Sequence, residues 1–375
     1  MAADVIIIGG GIQGCSTALH LALQGVQVMV IEKNYCGRHA SGVNAGGVLR
    51  AGRYPVELPL STAALKIWAD APNLVDDDCG FRPIGRLKVA ESDEEMDKLA
   101  ARYAMVQDLG YTHERLIDRK ELRDMEPDIA AHAVGAIHAP GCGHANPFRT
   151  LNAFKQKAIT LGVKFHEKTR VNRVRRSGSI WHVETRDQTY EAPILVNTAG
   201  AWGDQVAKDL GETVPLSTIA PMLMVTNRLP PFMRQRIGAV DRVLSIVQQA
   251  NGTVIIGGGY LGRADRNAET TNLDYARLAF NSQIACDMFP TLREAKIIRA
   301  WAGIEGYIAD GLPVIGPSAT EESAYHAFGF SAHGFHLGPI VGRILAQLVV
   351  DGHSEIPIDA FRIDRFVTED NSNRC

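Results

Sequence analysis

The sequence lacks the features that would place it in a membrane or on nucleic acid. No apolar run approaches the roughly twenty residues that a membrane-spanning helix needs. The first residues contain neither a charged segment nor a small-residue cleavage site typical of a signal peptide. A net charge of −3 over 375 residues gives no reason to expect nucleic acid or an anionic membrane as a partner. We therefore expect a cytoplasmic protein without a membrane span.

Cysteine is also scarce, and its spacing excludes the common metal sites. The six cysteines form no CxxC pair and no zinc or iron–sulfur pattern, so we expect reduced thiols and no metal. They are Cys15, Cys36, Cys79, Cys142, Cys286 and Cys375. The chain does have a 46% hydrophobic composition, which is enough for a full core over 375 residues. This length indicates two domains.

The most informative segment is the amino-terminal run from Val5 to Gly14. It predicts a buried strand that turns directly into a helix, with Gly9, Gly11 and Gly14 at GxGxxG spacing. A second apolar strand, 26–31, is followed by Glu32, which is placed to accept a hydrogen bond from a ribose hydroxyl. The helix start offers free N–H groups to a diphosphate. We predict a dinucleotide site; the alternative is a tight structural turn.

Two kinds of segment alternate along the rest of the chain. Residues 37–52 (GRHASGVNAGGVLRAG) are dense in small side chains and indicate a long loop close to a ligand. An apolar strand from Ala192 ends in a glycine turn at Gly200. Helices are predicted over 62–71, 93–109, 151–161 and 340–351, and further strands over 87–90, 163–166, 171–174, 180–185, 245–248, 253–257 and 324–328. Both domains are therefore expected to be discontinuous.

Four separated motifs resemble the FAD-dependent oxidoreductases of the D-amino-acid oxidase superfamily. They are GGGIQG with Glu32, the segment 41–47, the segment 197–202 (NTAGAW), and 310–316 with 329–339. The resemblance implies an α/β fold (α+β overall) with a Rossmann-like FAD-binding domain and an inserted mixed-sheet substrate domain. It places the FAD-binding domain at 1–81, 145–216 and 306–375, and the substrate domain at 82–144 and 217–305.

The resemblance also implies non-covalent FAD and names its binding residues. The last motif resembles the turn from which a helix start faces the flavin and stabilises its negative charge when reduced. Val171 corresponds to the backbone position beside the adenine. The implied set is Gly9, Gly11, Ile12, Gln13, Gly14, Glu32, Lys33, Arg38, His39, Ala40, Ser41, Asn44, Ala45, Gly46, Gly47, Arg50, Val171, Ala199, Gly200, Trp202, Gly334, Phe335, His336 and Leu337.

Within the superfamily the chain resembles the sarcosine oxidase branch, and more closely the β subunits of heteromeric dehydrogenases such as opine oxidase, sarcosine oxidase and proline dehydrogenase. The resemblance implies transfer of a hydride from the carbon beside an amine to flavin N5, and hydrolysis of the resulting imine. An opine such as octopine or nopaline would give an amino acid and a 2-oxo acid. A second (α) subunit would carry the further redox centres. FMN is possible at their interface, although Pro147 stands near its anchoring position and argues against a covalent link.

Four residues are candidates for positioning the substrate, and no general base is assigned. Arg53 would bind a carboxylate, with Arg50 nearer the flavin; the alternative is two solvated loop charges. Glu305 stands where relatives such as glycine oxidase carry an arginine, so it suits a cationic arm such as a guanidinium; the alternative is a surface or salt-bridged acid. Tyr260 would form an aromatic wall, unless it is a core tyrosine.

The remaining candidate is His336, which replaces a lysine that binds the substrate carboxylate in monomeric sarcosine oxidase. It would hydrogen-bond the substrate, unless backbone groups satisfy it in a helix cap. His333 is expected to pack near the flavin.

Three functions stay open at this point. They are the catalytic FAD subunit of an amine dehydrogenase, a stand-alone glycine or D-amino-acid dehydrogenase, and a flavin-binding assembly subunit without turnover.

Overall fold

The computed structural model describes residues 3–366 and is built around two large sheets. The first sheet has six strands, and its central strand is the amino-terminal Val5–Ile8, which is buried on both faces. Continuous burial explains why this strand is apolar at every position rather than at alternate ones. The strands lie in the order Val314–Pro317, Ala324–Phe328, Ile194–Asn197, Val5–Ile8, Val28–Ile31 and Lys164–His166. All pairs are parallel except the first.

Helices and a small antiparallel sheet cover this first sheet. The helices are Ile12–Leu23, Ala40–Val43, Leu58–Ala69, Ala71–Val75, Pro147–Thr160, Gly203–Asp209 and Gly334–Val350. The small sheet contains Val171–Ser177, Ile180–Thr185 and Thr189–Ala192, and it buries Trp181. The first and last helices cross so closely that a Cβ on Gly342 would meet the Ser16 backbone carbon at 2.4 Å. The first and last helices are thus packed directly against each other.

The second large sheet has eight strands and its own apolar core. Its order is Ile297–Ala302, Met222–Thr226, Val254–Gly257, Ser245–Gln248, Arg236–Ala239, Arg86–Ala90, Gly135–Ala139 and Arg115–Asp118. The helices Asp93–Asp108, Arg119–Met125 and Tyr275–Met288 belong to this half. Every one of these strands falls within 82–144 or 217–305, the ranges predicted for the substrate domain. The division at those particular residues stays a prediction, and residues 367–375 of the last predicted range lie outside the described part.

Three two-stranded ribbons complete the fold. They pair Gly47–Val48 with Gly143–His144, Leu216–Ile219 with Glu305–Ile308, and Arg263–Asp265 with Thr270–Asn272. The mixed α/β class is the one predicted. The last helix was predicted to begin at Ile340, but it begins at Gly334. Gly338 and Pro339, which indicate a turn in the sequence, lie inside this helix. Within residues 3–366 no helix is both long and apolar enough to cross a membrane.

Candidate active site

One large cavity, of about 1190 Å³, lies between the two main sheets. It opens at the carboxyl ends of the strands Val5–Ile8 and Val28–Ile31, which is where doubly wound sheets bind nucleotides. Its volume exceeds the roughly 300–1,000 Å³ typical of a site for one small molecule. The cavity can therefore hold a dinucleotide together with a substrate.

The glycine turn at the first strand brings backbone segments closer together than any side chain would allow. A Cβ on Gly9 would meet the Thr198 carbonyl oxygen at 2.4 Å, and one on Gly14 would meet the Gly9 carbonyl oxygen at 2.0 Å. Gly9 also has a φ of +107°, which only glycine adopts without strain. Gly11, the residue before the helix, provides no side-chain cap, and the Ile12 N–H donates to Ser41 Oγ at 3.0 Å. Gly11, Gln13 and Ser41 line the cavity, so a ligand there would lie against this helix start.

The acid at the end of the neighbouring strand is held in place by backbone groups. Glu32 accepts hydrogen bonds from the Gly10 N–H at 2.7 Å and from the Asn34 N–H at 2.8 Å, and it lines the cavity. Burial raises the pKa of the Glu32 carboxyl above its ordinary value. A fixed carboxyl at this point matches the predicted role toward a ribose hydroxyl.

A hairpin from the other half of the molecule closes this end of the cavity. Its Glu269 lies 3.3 Å from Lys33 Nζ, accepts a hydrogen bond from Asn34 Nδ2 at 2.5 Å, and forms an ion pair with Arg170. Lys33 Nζ in turn lies 2.9 Å from the centroid of the Trp202 ring. Burial lowers the pKa of Lys33 to about 8, with the Glu269 charge opposing the shift.

The small-residue segment 37–52 forms one wall of the cavity, and it contains the short helix Ala40–Val43 and the strand Gly47–Val48 rather than one long loop. Asn44 fixes its turn by accepting from the Gly46 N–H at 2.8 Å and donating to the Ala40 carbonyl at 3.0 Å. Gly46 itself serves the fold, because a Cβ there would meet the Ala145 carbonyl oxygen at 2.1 Å. The last helix starts at the same wall, where the Gly334 carbonyl accepts from Gln13 Nε2 at 2.9 Å.

Most predicted FAD contacts line this cavity. They are Gly9, Gly11, Gln13, Glu32, Lys33, Arg38, His39, Ala40, Ser41, Asn44, Ala45, Gly47, Val171, Ala199, Gly200, Trp202, Gly334 and Phe335. The cavity wall does not include Ile12, Gly14, Gly46, Arg50, His336 and Leu337. Of these, Gly14 and Gly46 shape the backbone, while the Ile12 side chain packs against Gly338.

His336, which was predicted to contact flavin or substrate, does not line the cavity. Its ring is buried and points toward the helix Leu58–Ala69, where Nε2 lies 3.2 Å from the Ser61 carbonyl oxygen. Burial holds the pKa of His336 well below its ordinary value, so the ring is neutral. A helix turns by about 100° per residue, so the side chain of His336 points well away from that of Phe335, which lines the cavity. Leu337 is likewise fully buried.

Tyr260 and Arg50 likewise do not line the cavity. The Tyr260 ring packs edge-on against Phe280 with 6.0 Å between centroids, while Gly259 and Leu261 on either side line the cavity. Arg50 lies outside the cavity wall and its guanidinium is 3.5 Å from the Thr62 hydroxyl. Contact of either side chain with flavin or substrate stays a prediction.

The other two substrate candidates do line the cavity. Arg53 is buried, and its Nε donates to the Leu49 carbonyl at 2.8 Å. Burial lowers the pKa of Arg53 to about 10, although the nearby Glu57 carboxylate opposes this shift. Glu305 accepts a hydrogen bond from the Ala332 N–H at 2.5 Å, and burial raises the pKa of its carboxyl to about 7.

Sequence reasoning missed two further arginines in the same wall. Arg86 donates to the Ala51 carbonyl at 2.8 Å, and Arg236 donates to the Ala45 carbonyl at 3.2 Å. The two residues are 150 positions apart, and each belongs to an ordinary strand pattern. Nothing in the linear sequence links them, because only the pairing of their strands brings them together.

Fold and cavity together define a dinucleotide-binding oxidoreductase whose cofactor site continues into a chamber for a small substrate. Residues 4–348 match the family described as DAO, FAD dependent oxidoreductase, and the chain belongs to that family. Its cofactor is accordingly FAD, for which the open glycine turn and the fixed Glu32 are suited. The enzyme is an FAD-dependent oxidoreductase acting on the C–N donors of amines or amino acids.

Individual relatives support this assignment along the whole chain. Glycine oxidase of Geobacillus kaustophilus (strain HTA426) is 25% identical over 372 residues, covering 97% of both sequences. One of the subunits of opine oxidase from Rhizobium meliloti is 24% identical over 382 residues, again covering 97% of both. The crystal structure of L-proline dehydrogenase from P. horikoshii superposes with a TM-score of 0.91 at 24% identity, covering 97% of this chain and 98% of the other. The predicted D-amino-acid oxidase type of fold is thereby confirmed.

Proposed function

We propose that this chain is the catalytic FAD subunit of a heteromeric dehydrogenase that cleaves the C–N bond of an N-substituted amino acid. The substrate we favour is an opine of the octopine or nopaline type, which would give an amino acid and a 2-oxo acid. The observation that carries the proposal is the pairing of charges in one cavity. Arg53 offers a cation for a carboxylate, and Glu305 offers an acid for a cationic arm.

Arg53 would orient the substrate. Its Nε is already engaged by the Leu49 carbonyl, so the rest of the guanidinium is held in a fixed direction at the cavity wall. A fixed guanidinium can bind a carboxylate through two parallel hydrogen bonds. This contact would fix the α-carbon, and the flavin, when bound, supplies the two-electron oxidation of the C–H bond beside the amine.

Glu305 would select the side chain of the substrate. Its carboxyl accepts from the Ala332 N–H and stands beside the turn that starts the last helix. A simple amino acid gains nothing from an acid here, whereas a guanidinium arm would form a charge-assisted hydrogen bond worth about 1.5–3 kcal/mol. The reaction then needs only water, which adds to the imine and releases the amine and the 2-oxo acid.

A partner subunit is part of the proposal. The similarity to the opine oxidase of Rhizobium meliloti supports it, since that relative is by name one subunit of a larger enzyme. The sequence has no iron–sulfur motif and no second nucleotide fingerprint, so electrons would leave through a partner. FMN at the interface with that partner belongs to the same proposal. The alternatives are a sarcosine, proline or hydroxyproline dehydrogenase β subunit and a stand-alone glycine or D-amino-acid dehydrogenase.

The test is anaerobic mixing of the FAD-loaded protein with a panel of amines. Octopine, nopaline, sarcosine, proline, hydroxyproline, glycine and D-amino acids are added in turn while the visible flavin absorbance is recorded. We expect an opine to bleach the flavin at the lowest concentration. Bleaching by glycine or D-amino acids alone would favour the stand-alone enzyme, and no bleaching by any amine would favour an assembly subunit. Size-exclusion chromatography of the native complex checks for the partner.

A further inference from the structure

Two arginines stand side by side in the wall of the cavity. Strand Arg236–Ala239 pairs in parallel with strand Arg86–Ala90, and the register places Arg236 directly opposite Arg86. Both side chains line the cavity. Like charges placed opposite each other on one face of a sheet repel and destabilise it. A cross-strand arginine pair in a buried wall therefore needs an anion to be favourable.

The described residues do not supply that anion. Within residues 3–366 neither Arg86 nor Arg236 has a carboxylate within ion-pair distance, and both guanidiniums contact backbone carbonyls instead. The two nearby acids are already engaged. Glu114 forms two hydrogen bonds with Arg102, and Glu57 lies 2.8 Å from His333 Nδ1.

Arg236 is the less satisfied of the two. It is only 4% exposed, and its Nε has no hydrogen-bond partner among the described residues. Burial, assisted by the charge of Arg86, lowers the pKa of Arg236 to about 10. Buried charges are ordinarily paired, because the desolvation of an unpaired ion costs far more than a lost hydrogen bond.

The diphosphate of FAD does not account for this pair. Its predicted site is the start of the first helix, which follows the central strand of the six-stranded sheet. The arginines belong to the eight-stranded sheet and reach the cavity beside Ala45 and Gly47. Arg236 thus stands beside the predicted flavin-binding loop, whereas Arg86 stands toward Arg53: a Cβ on the neighbouring Gly52 would lie 3.6 Å from Arg86 Nη1, and the Arg86 charge lowers the pKa of Arg53. The pair therefore extends from that loop toward the predicted carboxylate site at Arg53.

We propose that Arg86 and Arg236 form a second carboxylate subsite, so that the substrate is a secondary amine bearing two carboxylates. Arg53 holds the carboxylate attached to the carbon that is oxidised. The arginine pair holds the carboxylate attached on the other side of the amine nitrogen. This inference rests on the proposed function and narrows it. Amines with a single carboxylate, such as sarcosine, proline or glycine, leave the arginine pair unpaired and bind weakly.

The experiment compares two secondary amines that differ by one carboxylate. Sarcosine and iminodiacetate are titrated into the FAD-loaded protein under anaerobic conditions, and both the perturbation and the bleaching of the flavin spectrum are recorded. We expect iminodiacetate to bind about 10- to 100-fold more tightly, the range of a charge-assisted hydrogen bond. Equal affinity for the two amines would overturn the subsite without any variant being made.

Variants then test whether Arg86 and Arg236 cause the preference for iminodiacetate over sarcosine. In Arg236→Gln the preference for iminodiacetate should fall about tenfold or more, and Arg86→Gln should behave alike. Arg234→Gln is the matched control, because Arg234 is exposed just before the same strand, and it should keep the preference. A preference unchanged in both buried variants would overturn the proposal. So would a change in flavin reduction potential without a change in preference, which would assign the pair to the flavin.

The outcomes also separate this inference from the proposed function. If both amines bleach the flavin equally well, amine oxidation stands and the second subsite fails. If iminodiacetate binds tightly without bleaching, the subsite stands and the oxidation of this class of amine fails. If neither amine perturbs the spectrum, the second subsite fails, while the proposed function is still decided by whether octopine or nopaline bleaches the flavin.

Discussion

The two ends of the cavity are built by different means. At the nucleotide end, a short continuous segment supplies a turn, a helix start and space, and its key contacts involve backbone groups around Gly9, Gly11 and Gly14. At the substrate end, charged side chains converge from strands that are far apart in sequence, such as Arg86 and Arg236. The nucleotide end is therefore determined by residues close together in sequence. The substrate end is determined by which strands pair and in what register.

This difference determines how each end tolerates change. Backbone geometry leaves no freedom to adjust, since a methyl group placed against a carbonyl cannot move away. Side-chain sites allow a substitution to be accommodated, so their variants should change affinity and specificity more than folding. The following substitutions test that contrast.

The largest effect is expected from Gly14→Ala at the nucleotide end. A Cβ there would lie 2.0 Å from the Gly9 carbonyl oxygen and 2.7 Å from Thr198 Oγ1, so the helix must move away from the strand. Overpacking of a tight core typically costs about 1–3 kcal/mol, and the movement also opens the diphosphate turn. We expect FAD content, measured as visible absorbance per protein, to fall at least about tenfold.

Gly141→Ala is the matched control for that variant. A Cβ at Gly141 would meet nothing within 4 Å, and its backbone is outside the positive-φ region. It should retain full FAD content and thermal stability. Full FAD content in Gly14→Ala would contradict the difference drawn between the two ends, because FAD binding would then not require the close approach of the helix to the Gly9 carbonyl.

The same contrast explains what could be predicted from sequence. Spacing of glycines and the acid Glu32 identified the dinucleotide end, because each of those residues acts where it stands in the chain. Arg53 and Glu305 were found only through the resemblance to a family. Tyr260 and His336 are predicted from the sequence to belong to the site, but neither lines the cavity: His336 is buried against the helix Leu58–Ala69, and Tyr260 packs on Phe280 at the edge of the second core. The sequence does not indicate that Arg86 and Arg236 lie together, because the pairing of their two strands cannot be read from the residues around either one.

A smaller effect, on specificity and pH dependence, is expected from Glu305→Gln at the substrate end. Burial raises the pKa of Glu305 to about 7, so the carboxyl is mostly neutral below that pH and charged above it. Affinity for a guanidinium-bearing substrate should rise about tenfold as the pH increases through about 7, and Glu305→Gln should remove this rise. Binding titrations monitored by flavin absorbance measure both profiles.

Other titrating groups near the cavity do not produce the same profile. Burial holds the pKa of His39 at about 4 and that of His333 below its ordinary value, so both rings are already neutral at this pH. Lys33, with a pKa of about 8, would lose its charge over a higher range and lies at the nucleotide end. Glu294→Gln, an exposed substitution, is the control and should leave the profile unchanged.

The stability of the flavin-free protein gives an independent check on Glu305. Between its ordinary pKa of 4.5 and about 7, the folded protein keeps a proton that the unfolded chain has lost. The free energy of unfolding therefore falls as the pH rises through this window. Thermal melts should show Glu305→Gln gaining relative to wild type from pH 4.5 to about 7, and then remaining constant. A difference between the two melts that does not change with pH would contradict the raised pKa.

The smallest effect is expected from Tyr260→Phe. The Tyr260 ring packs against Phe280 and lies outside the cavity wall, so removing its hydroxyl changes no contact with flavin or substrate. KM should stay within about twofold, the range of substitutions away from functional features. Tyr307→Phe makes the comparison sharp, because Tyr307 lines the cavity two residues after Glu305. If Tyr260→Phe changed KM tenfold while Tyr307→Phe did not, Tyr260 rather than Tyr307 would contact the substrate. The assignment of these two tyrosines to core and cavity would then have to be exchanged.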